Sequence, residues 1–124
     1  MKIRELLKIK DRPVISVGPN EAISAAIQKL VEYDRGAISV CDDKGELVGI
    51  ITDRDIVRMC FARSDAFTNI KIEDVMTKQV AIGTPEDDSD YAIIFMKKRI
   101  MHLPIVENRK VVGMVSTRDL LDVH

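Results

Sequence analysis

The chain has 124 residues, of which 46% are hydrophobic and 31% are charged, and its formal net charge is −1 at pH 7. This near-neutral charge, with three Phe, two Tyr and no Trp, argues against a nucleic-acid-binding surface, which needs basic patches and stacking platforms. No apolar run reaches membrane-spanning length and the first residues lack a signal peptide's apolar core, so we expect a cytoplasmic protein that does not insert into a membrane.

The chain opens with a predicted short helix over residues 3–7, a lead-in to the first strand that recurs loosely at residues 72–76. A β-branched run over residues 14–17 reads as that strand, because Gly18-Pro19 stops it. Apolar residues at helical spacing then predict a helix over residues 22–33. The first part of the chain therefore alternates between strand and helix.

A predicted hairpin and a second helix complete this first half. Residues 37–41 and 47–51 read as two strands, joined by a turn in which Gly45 supplies a left-handed backbone conformation. The helix that follows is predicted over residues 53–61, since it opens with the Thr-x-x-Asp spacing of a capping box. The order of the first half is thus strand, helix, strand, strand, helix.

The second half repeats this order. Residues 14–40 align with residues 80–106 at one constant offset, and the second copy is then two residues shorter, a difference that we place in the hairpin turn. Residues 84–87, Thr-Pro-Glu-Asp, signal the start of a helix. We interpret the acidic residues there as complementing the positive end of the helix dipole, with the basic residues 97–99 at its negative end, and as part of a solvated face rather than a metal site.

One phrase occurs twice, at residues 48–56 and 112–120. Both copies read hydrophobic residue, Gly, two apolar residues, a hydroxyl residue, two variable residues, Asp and an apolar residue. The matched polar pairs are Thr52 with Ser116, Arg54 with Arg118, and Asp55 with Asp119. Duplication on this scale indicates two copies of one structural unit. We therefore predict a first repeat at residues 1–62, a linker at 63–70 and a second repeat at 71–124.

The duplicated unit, closed by Gly-apolar-apolar-Thr/Ser-x-x-Asp, resembles a tandem pair of cystathionine-β-synthase (CBS) domains, also called a Bateman module. The resemblance covers nearly the whole chain. It implies a mixed α/β (α+β) fold in which two tandem βαββα repeats pack with pseudo-two-fold symmetry and leave two clefts between them. In such pairs the clefts bind adenosine-containing ligands such as AMP, ADP, ATP or S-adenosylmethionine.

The polar residues of the repeated phrase have the chemistry that such a ligand needs. A carboxylate in the first turn of a helix can accept hydrogen bonds from both hydroxyls of a ribose. A Thr or Ser at the helix start, with the free N–H groups there, suits an anionic phosphate, and a nearby Arg adds a planar cation. For one copy alone, the alternative is a capping box that only stabilises its helix, by about 1 kcal/mol.

The resemblance implies two sites, each combining the ribose Asp of one repeat with the base-binding strands of the other. The first is expected to comprise Ile50, Thr52, Arg54, Asp55, Val80, Ala81, His102 and Pro104. The second is expected to comprise Val14, Ile15, Ala37, Ile38, Met114, Ser116, Arg118 and Asp119. The implied roles are recognition of the adenine edge by the backbone around Val80 and Val14, and apolar cover from Ile50 and Met114.

The two sites are expected to be unequal. His102 stands where some relatives place an Arg against the phosphate, whereas the matching residue of the first repeat is Gly36; a packed or solvent-facing His is the alternative interpretation. Leu103-Pro104 matches Ala37-Ile38, which changes the backbone at the base pocket. The first lead-in is also longer, through residues 8–12. We therefore expect the first site to be better equipped for phosphate.

Catalysis, a metal and a resident cofactor are not expected. The sequence has no glycine-rich phosphate loop, HExxH or CxxC motif and no evident nucleophile beside a base, and Cys41 and Cys60 lack metal-site spacing. We predict a regulatory module that senses an adenosyl ligand and signals to a separate, unidentified effector protein. The alternative is a ligand-free scaffold for dimerisation or protein interaction, and an enzyme comes last. Apolar helix faces lead us to expect a homodimer.

Overall fold

The computed structural model describes residues 1–63, 69–96 and 101–123, apart from the side chain of Phe95. The elements in chain order are α1 (Ile3–Lys10), β1 (Ser16–Val17), α2 (Ile23–Glu32), β2 (Ala37–Cys41), β3 (Leu47–Thr52), α3 (Asp53–Ala62), a 3-10 turn (Ile72–Asp74), α4 (Ser89–Met96), β4 (His102–Glu107), β5 (Lys110–Ser116) and α5 (Thr117–Asp122). They form two compact units: a central unit, Ile15–Val80, and a terminal unit in which Met1–Val14 joins Ala81–His124.

The central unit is built on a three-stranded sheet in the order β1-β2-β3. β1 runs parallel to β2, and β2 runs antiparallel to β3, which confirms the order predicted for the first repeat. Gly45 has a φ of 77°, and its N–H donates to the Asp42 carbonyl at 2.9 Å, as the predicted glycine turn requires. The buried core residues of this unit are Val17, Ile23, Ala26, Leu30, Ile38, Val40, Ile51, Met59 and Ile72.

The terminal unit contains the antiparallel pair β4-β5. Its hairpin turn is Asn108-Arg109, with φ values of 53° and 68°, and Glu107 pairs with Lys110 across it. Two residues of positive φ match the twist of the flanking strands, and this tight turn confirms where the second copy is shorter. The buried core residues of this unit are Ile3, Leu6, Ala92, Met96, Leu103, Ile105, Val115 and Leu120.

Each lead-in segment packs in the core of the other repeat. Ile3 and Leu6 of α1 belong to the first sequence repeat, yet they are fully buried in the core of the terminal unit. Ile72 belongs to the second sequence repeat, yet it is buried in the core of the central unit. The compact units therefore differ from the sequence repeats, because each lead-in segment belongs to the unit of the other repeat. The boundaries 1–62, 63–70 and 71–124 stay a prediction about the sequence repeats.

The glycine of the repeated phrase lets a lead-in segment approach the strand closely. In the central unit, Ile50 and Thr77 exchange backbone hydrogen bonds of 3.0 and 2.9 Å. A Cβ added to Gly49 would lie 2.9 Å from the Thr77 carbonyl oxygen. In the terminal unit, a Cβ added to Gly113 would lie 2.6 Å from a methyl carbon of Leu7. Any larger residue at these two positions would meet the lead-in.

The helix predicted to start at residues 84–87 begins later, at Ser89. Residues 84–87 form a turn instead, in which the Thr84 N–H donates to the Asp87 carboxylate at 2.8 Å. The Ser89 N–H donates to the Met1 carbonyl at 2.8 Å, so the helix starts where the chain meets the N-terminal segment. The capping signal therefore marked a turn that precedes the helix by a few residues.

Glu86, one of the acidic residues near this turn, has a different role from the predicted one, whereas Asp90 lies in the first turn of α4 as predicted. Glu86 accepts hydrogen bonds from Lys2 at 2.9 Å and from Arg4 at 2.8 Å, and these contacts lower the pKa of Glu86. It therefore ties the turn to the N-terminal segment rather than complementing a helix dipole. The basic residues 97–99, predicted at the opposite end of α4, lie outside the described residues.

Other predicted elements are shorter or longer in the structure. The strand predicted over residues 14–17 is only Ser16–Val17, and its counterpart in the second repeat is, within the described ranges, a single bridge between Gly83 and Ile105. The second lead-in is a three-residue 3-10 turn, whereas α1 continues to Lys10. No helix in the described ranges is both long and apolar enough to cross a membrane.

Candidate functional site

Thr52 and Asp55 form a complete capping box where β3 passes into α3 in the central unit. The Asp55 N–H donates to Thr52 Oγ1 at 3.1 Å, and the Thr52 N–H donates to Asp55 Oδ2 at 2.9 Å. The predicted helix start is therefore confirmed. The other carboxylate oxygen, Oδ1, has no hydrogen-bond partner among the described residues, so half of this carboxylate stays available to another donor.

Several predicted site residues of the central unit lie on the strands beside this junction. Ala37 is the cross-strand partner of Thr52, and Ile38 is the partner of Ile51. Ile50 is buried in β3, whereas Arg54 in the first turn of α3 is exposed. The Ile38 side chain belongs to the hydrophobic core, so packing already accounts for its residue type.

Two further predicted residues of this unit lie outside its strands. Ile15 immediately precedes β1 and packs against the core, and Val80 is half-buried at the end of the unit. The central unit thus contains residues predicted for both sites: Ile50, Thr52, Arg54, Asp55 and Val80 of the first, and Ile15, Ala37 and Ile38 of the second.

Ser116 and Asp119 form the matching capping box where β5 passes into α5 in the terminal unit. The Asp119 N–H donates to Ser116 Oγ at 3.0 Å, and the Ser116 N–H donates to Asp119 Oδ2 at 2.9 Å. His102 is the cross-strand partner of Ser116, as Ala37 is of Thr52, and Pro104 is the partner of Met114. The two copies therefore share their local backbone geometry.

The remaining predicted residues of the terminal unit differ in exposure. Pro104 is buried, Met114, His102 and Ala81 are half-buried, and Arg118 and Val14 are exposed. The terminal unit thus contains Ala81, His102 and Pro104 of the first predicted site, and Val14, Met114, Ser116, Arg118 and Asp119 of the second. Each unit holds one capping-box carboxylate and a set of strand residues beside it.

The surroundings of Asp119 contain a contact that the sequence reasoning missed. Arg12 donates to Asp119 Oδ2 at 2.7 Å, and the Lys10 ammonium lies 3.8 Å from Asp119 Oδ1. Burial on its own would raise the pKa of Asp119, but the Ser116 N–H and the Arg12 guanidinium outweigh burial and lower that pKa. Asp119 is therefore held as a carboxylate. The only signal in the sequence was the longer first lead-in, which ends at Arg12.

The two junctions offer the same groups to a ligand, a carboxylate, a hydroxyl and an adjacent Arg. A carboxylate accepts from vicinal hydroxyls, whereas a guanidinium favours phosphate or carboxylate. The described ranges contain no cluster of three or more His, Cys, Asp or Glu side chains that could hold a metal ion. The arrangement is suited to reversible binding of a polar small molecule that carries hydroxyls.

Comparison with known proteins gives consistent matches. The family model of the CBS domain matches the chain twice, at residues 3–61 and 72–124. An uncharacterized 17.7 kDa protein of Acidianus ambivalens is 39% identical, in an alignment that covers 94% of this chain and 73% of that protein. Three other curated relatives are longer, and this chain spans 22%, 40% and 61% of their lengths.

Solved structures match over nearly the whole chain. A CBS-domain-containing protein from Agrobacterium tumefaciens gives a TM-score of 0.90 at 30% identity, covering 99% of this chain and 98% of that one. A CBS domain pair in complex with 5′-methylthioadenosine and S-adenosyl-L-methionine gives a TM-score of 0.86 at 29% identity, covering 99% and 94% of the two chains. The mixed α/β fold predicted from the repeats is thereby confirmed.

Proposed function

Because the chain belongs to the CBS domain family and carries two CBS repeats in tandem, we propose that it is a regulatory module that binds an adenosine-containing small molecule. The observation that carries the proposal is the junction of β3 and α3. There Thr52 holds Asp55 through one carboxylate oxygen, while the other has no partner among the described residues. A carboxylate held in this way is oriented to accept hydrogen bonds from a ribose.

The proposed roles follow from the chemistry of each residue. Asp55 accepts from the ribose hydroxyls, and Arg54, exposed in the same helical turn, pairs with a phosphate. His102, opposite Ser116 on β4, is a second donor to phosphate. These roles are proposals that mutagenesis can test. The same holds for the other residues of the two predicted sites.

The ligand class comes from chemistry and from similarity. AMP, ADP, ATP and S-adenosylmethionine all present the ribose diol that a carboxylate recognises. The similar domain pair bound to 5′-methylthioadenosine and S-adenosyl-L-methionine supports adenosyl ligands with and without a charged tail. We propose that binding is regulatory rather than catalytic, and that the signal passes to a separate effector protein through the differential affinity of the ligand for two states of the module.

A ligand-free scaffold is the second candidate, and exposed apolar side chains favour it. On α3 the side chains of Val57 and Phe61, which lie four residues apart and therefore on one face of the helix, are 67% and 95% exposed. Apolar side chains grouped on one helix face mark an interaction surface. We propose that this surface pairs two copies of the chain into a homodimer, which is compatible with either function.

A thermal-shift panel tests the binding proposal. AMP, ADP, ATP, S-adenosylmethionine and 5′-methylthioadenosine are each added at millimolar concentration. A ligand at about 100 times its dissociation constant should stabilise the fold by about 2.7 kcal/mol, which raises the melting temperature by several degrees. No shift with any of these ligands would contradict the proposal and favour the scaffold.

Matched variants separate ligand recognition from helix capping. Asp55→Asn keeps an oxygen that can accept from the Thr52 N–H but removes the charge, so most of the ligand-induced shift should disappear. Asp53→Asn changes an exposed carboxylate of the same turn and should leave the shift intact. Asp119→Asn should reduce the shift less than Asp55→Asn does, and the reverse ranking would show that the roles of the two carboxylates are exchanged.

A further inference from the structure

Asp119 is enclosed by cationic side chains from the N-terminal segment. The Arg12 guanidinium lies 2.7 Å from Oδ2, the Lys10 ammonium lies 3.8 Å from Oδ1, and the Asp119 side chain is only 7% exposed. Oδ2 also accepts the Ser116 N–H at 2.9 Å. Both lone pairs of that oxygen are therefore engaged within the protein.

The equivalent carboxylate in the first repeat has no such cover. Asp55 makes the same capping box, yet no ion pair to it occurs among the residues that the structure describes. Lys78 lies two residues before Val80, just as Arg12 lies two residues before Val14, the residue that aligns with Val80. Lys78 is exposed and lies in the same unit as Asp55. Each repeat thus has a cation two residues before its aligned Val, but in the described part of the chain Arg12 pairs with the capping-box Asp of its unit and Lys78 does not.

The longer first lead-in explains why Arg12 reaches its partner. α1 extends to Lys10, and Asp11 ends it in the left-handed conformation with a φ of 41°, its N–H donating to the Leu7 carbonyl at 3.0 Å. Ile3 and Leu6 bury the same helix in the core of the terminal unit. The helix is therefore anchored, and the residues after its cap are held beside α5.

A ribose and Arg12 would compete for one group. The ribose hydroxyls donate to a carboxylate, and so does the guanidinium, but the guanidinium adds a full charge and therefore the stronger contact. If Arg12 moves away, the mostly buried Asp119 carboxylate loses its paired cation. This loss is unfavourable unless a ligand replaces the lost contacts. The apparent affinity of a ligand is its intrinsic affinity multiplied by the fraction of molecules in which the carboxylate is accessible, so a small accessible fraction weakens binding.

We propose that Arg12 is an internal competitor for Asp119, which closes the second predicted site until a ligand displaces the guanidinium. This inference rests on the proposed function, because it assigns regulation to one of the two carboxylates. The module then fills in a set order, first at Asp55 and afterwards at Asp119. Binding at Asp119 releases the segment that follows α1, and this release is the structural response to the second ligand.

Calorimetric titration with 5′-methylthioadenosine tests the inference. This probe carries the ribose diol but no phosphate. Removing a positive charge from the protein therefore does not lower its affinity through a lost attraction to phosphate. Asp55→Asn first removes the open carboxylate, and Arg12→Gln is then added to that variant. The double variant should bind the probe about tenfold more tightly than Asp55→Asn alone, because the carboxylate of Asp119 is no longer occupied by a cation. Asp55→Asn with Lys8→Gln, which removes an exposed cation from α1, should bind like Asp55→Asn alone.

The outcomes separate this inference from the proposed function. Binding to the wild type without a gain from Arg12→Gln overturns the inference and leaves the proposed function standing. An equal gain from Lys8→Gln also overturns it, since the effect would then be one of net charge. If neither the wild type nor any variant binds the probe or the other adenosyl ligands, the proposed function and the inference both fail. A circular dichroism melt of each variant confirms that it is folded before titration.

Discussion

A carboxylate in the first turn of a helix is held by two kinds of contact in this protein. Among the residues that the structure describes, Asp55 is held only by its capping box, whereas Asp119 adds an ion pair with Arg12 and is almost completely buried. The difference affects how readily each carboxylate can accept a further hydrogen bond and how much it stabilises the fold. Asp55 can accept a further donor directly, while Asp119 contributes to the cohesion of the terminal unit through contacts to residues that are distant in the sequence.

Asp119→Asn should lower the stability of the folded chain in a pH-dependent way. The folded-state pKa of Asp119 is lowered, so its ionised form stabilises the fold above the ordinary pKa of about 4 and loses this effect as the pH falls through the folded-state value. At pH 7 the variant should be about 1–3 kcal/mol less stable, and the difference should shrink below about pH 4. Urea unfolding at pH 7, 5 and 3 measures it.

Asp122→Asn is the control for this experiment. Asp122 pairs with Lys10 at 2.9 Å, but its side chain is 53% exposed, so the variant should lose less than about 1 kcal/mol at pH 7. If both variants lost the same stability, or if the loss at Asp119 were independent of pH, the buried ion pair would not be the source of the effect.

The residue-level predictions succeeded where the interaction was local. The capping boxes follow from the Thr-x-x-Asp and Ser-x-x-Asp spacing alone, since the partners are three residues apart. The contact between Arg12 and Asp119 spans 107 residues of sequence, and no pattern in the sequence specifies such a partner. The ligand roles of both residue sets stay predictions, because ligand contacts were carried over from the resemblance.

At the level of elements, the repeated phrase combines a strand, a glycine and a helix cap. The glycine leaves space for a lead-in segment. The group that faces the glycine determines how much a side chain added at that position would destabilise the fold. Opposite Gly49 lies the Thr77 carbonyl, which is part of a backbone bridge to Ile50. Opposite Gly113 lies the flexible end of the Leu7 side chain.

Gly49→Ala should therefore destabilise the chain more than Gly113→Ala. A Cβ at residue 49 would meet a hydrogen-bonded backbone oxygen at 2.9 Å, and overpacking of this kind costs about 1–3 kcal/mol. Leu7 can change rotamer, so Gly113→Ala should cost less than about 1 kcal/mol. Chemical unfolding of both variants at pH 7 gives the comparison. A larger loss for Gly113→Ala would mean that the Leu7 contact is the more rigid of the two.

Element prediction failed mainly where a segment packs against a distant part of the chain. The turn at residues 84–87 carries the residues of a helix start, yet backbone bonds from Ile3 and Arg4 to the Asp87 and Pro85 carbonyls hold it in another conformation. The second copy of β1 is also shorter than predicted, and in the described ranges it is a single bridge from Gly83 to β4. The hairpins were predicted correctly because turn residues specify them locally.

At the scale of the whole molecule, the exposed apolar residues of α3 predict self-association. The chain should form a homodimer at about 100 µM in light scattering, with an interface above about 1,000 Å². The double substitution Val57→Glu with Phe61→Glu should give a monomer, because both side chains are mostly exposed and adding charge there opposes association.

Val31→Glu is the matched control for the dimer experiment. Val31 is 76% exposed, as Val57 is 67% exposed, but it lies on α2. This variant should stay dimeric. A wild-type monomer at about 100 µM would contradict the dimer, and loss of the dimer in Val31→Glu alone would place the interface on a different helix.

The exchange of lead-in segments also sets the order in which the molecule can be completed during synthesis. The central unit is one continuous segment, Ile15–Val80, so all of its residues are synthesised before any of residues 81–124. Ile3 and Leu6 are made before this unit, yet their core partners, such as Leu103 and Leu120, are made after it. The apolar face of α1 must therefore wait, unburied by its native partners, through the synthesis of an entire folding unit.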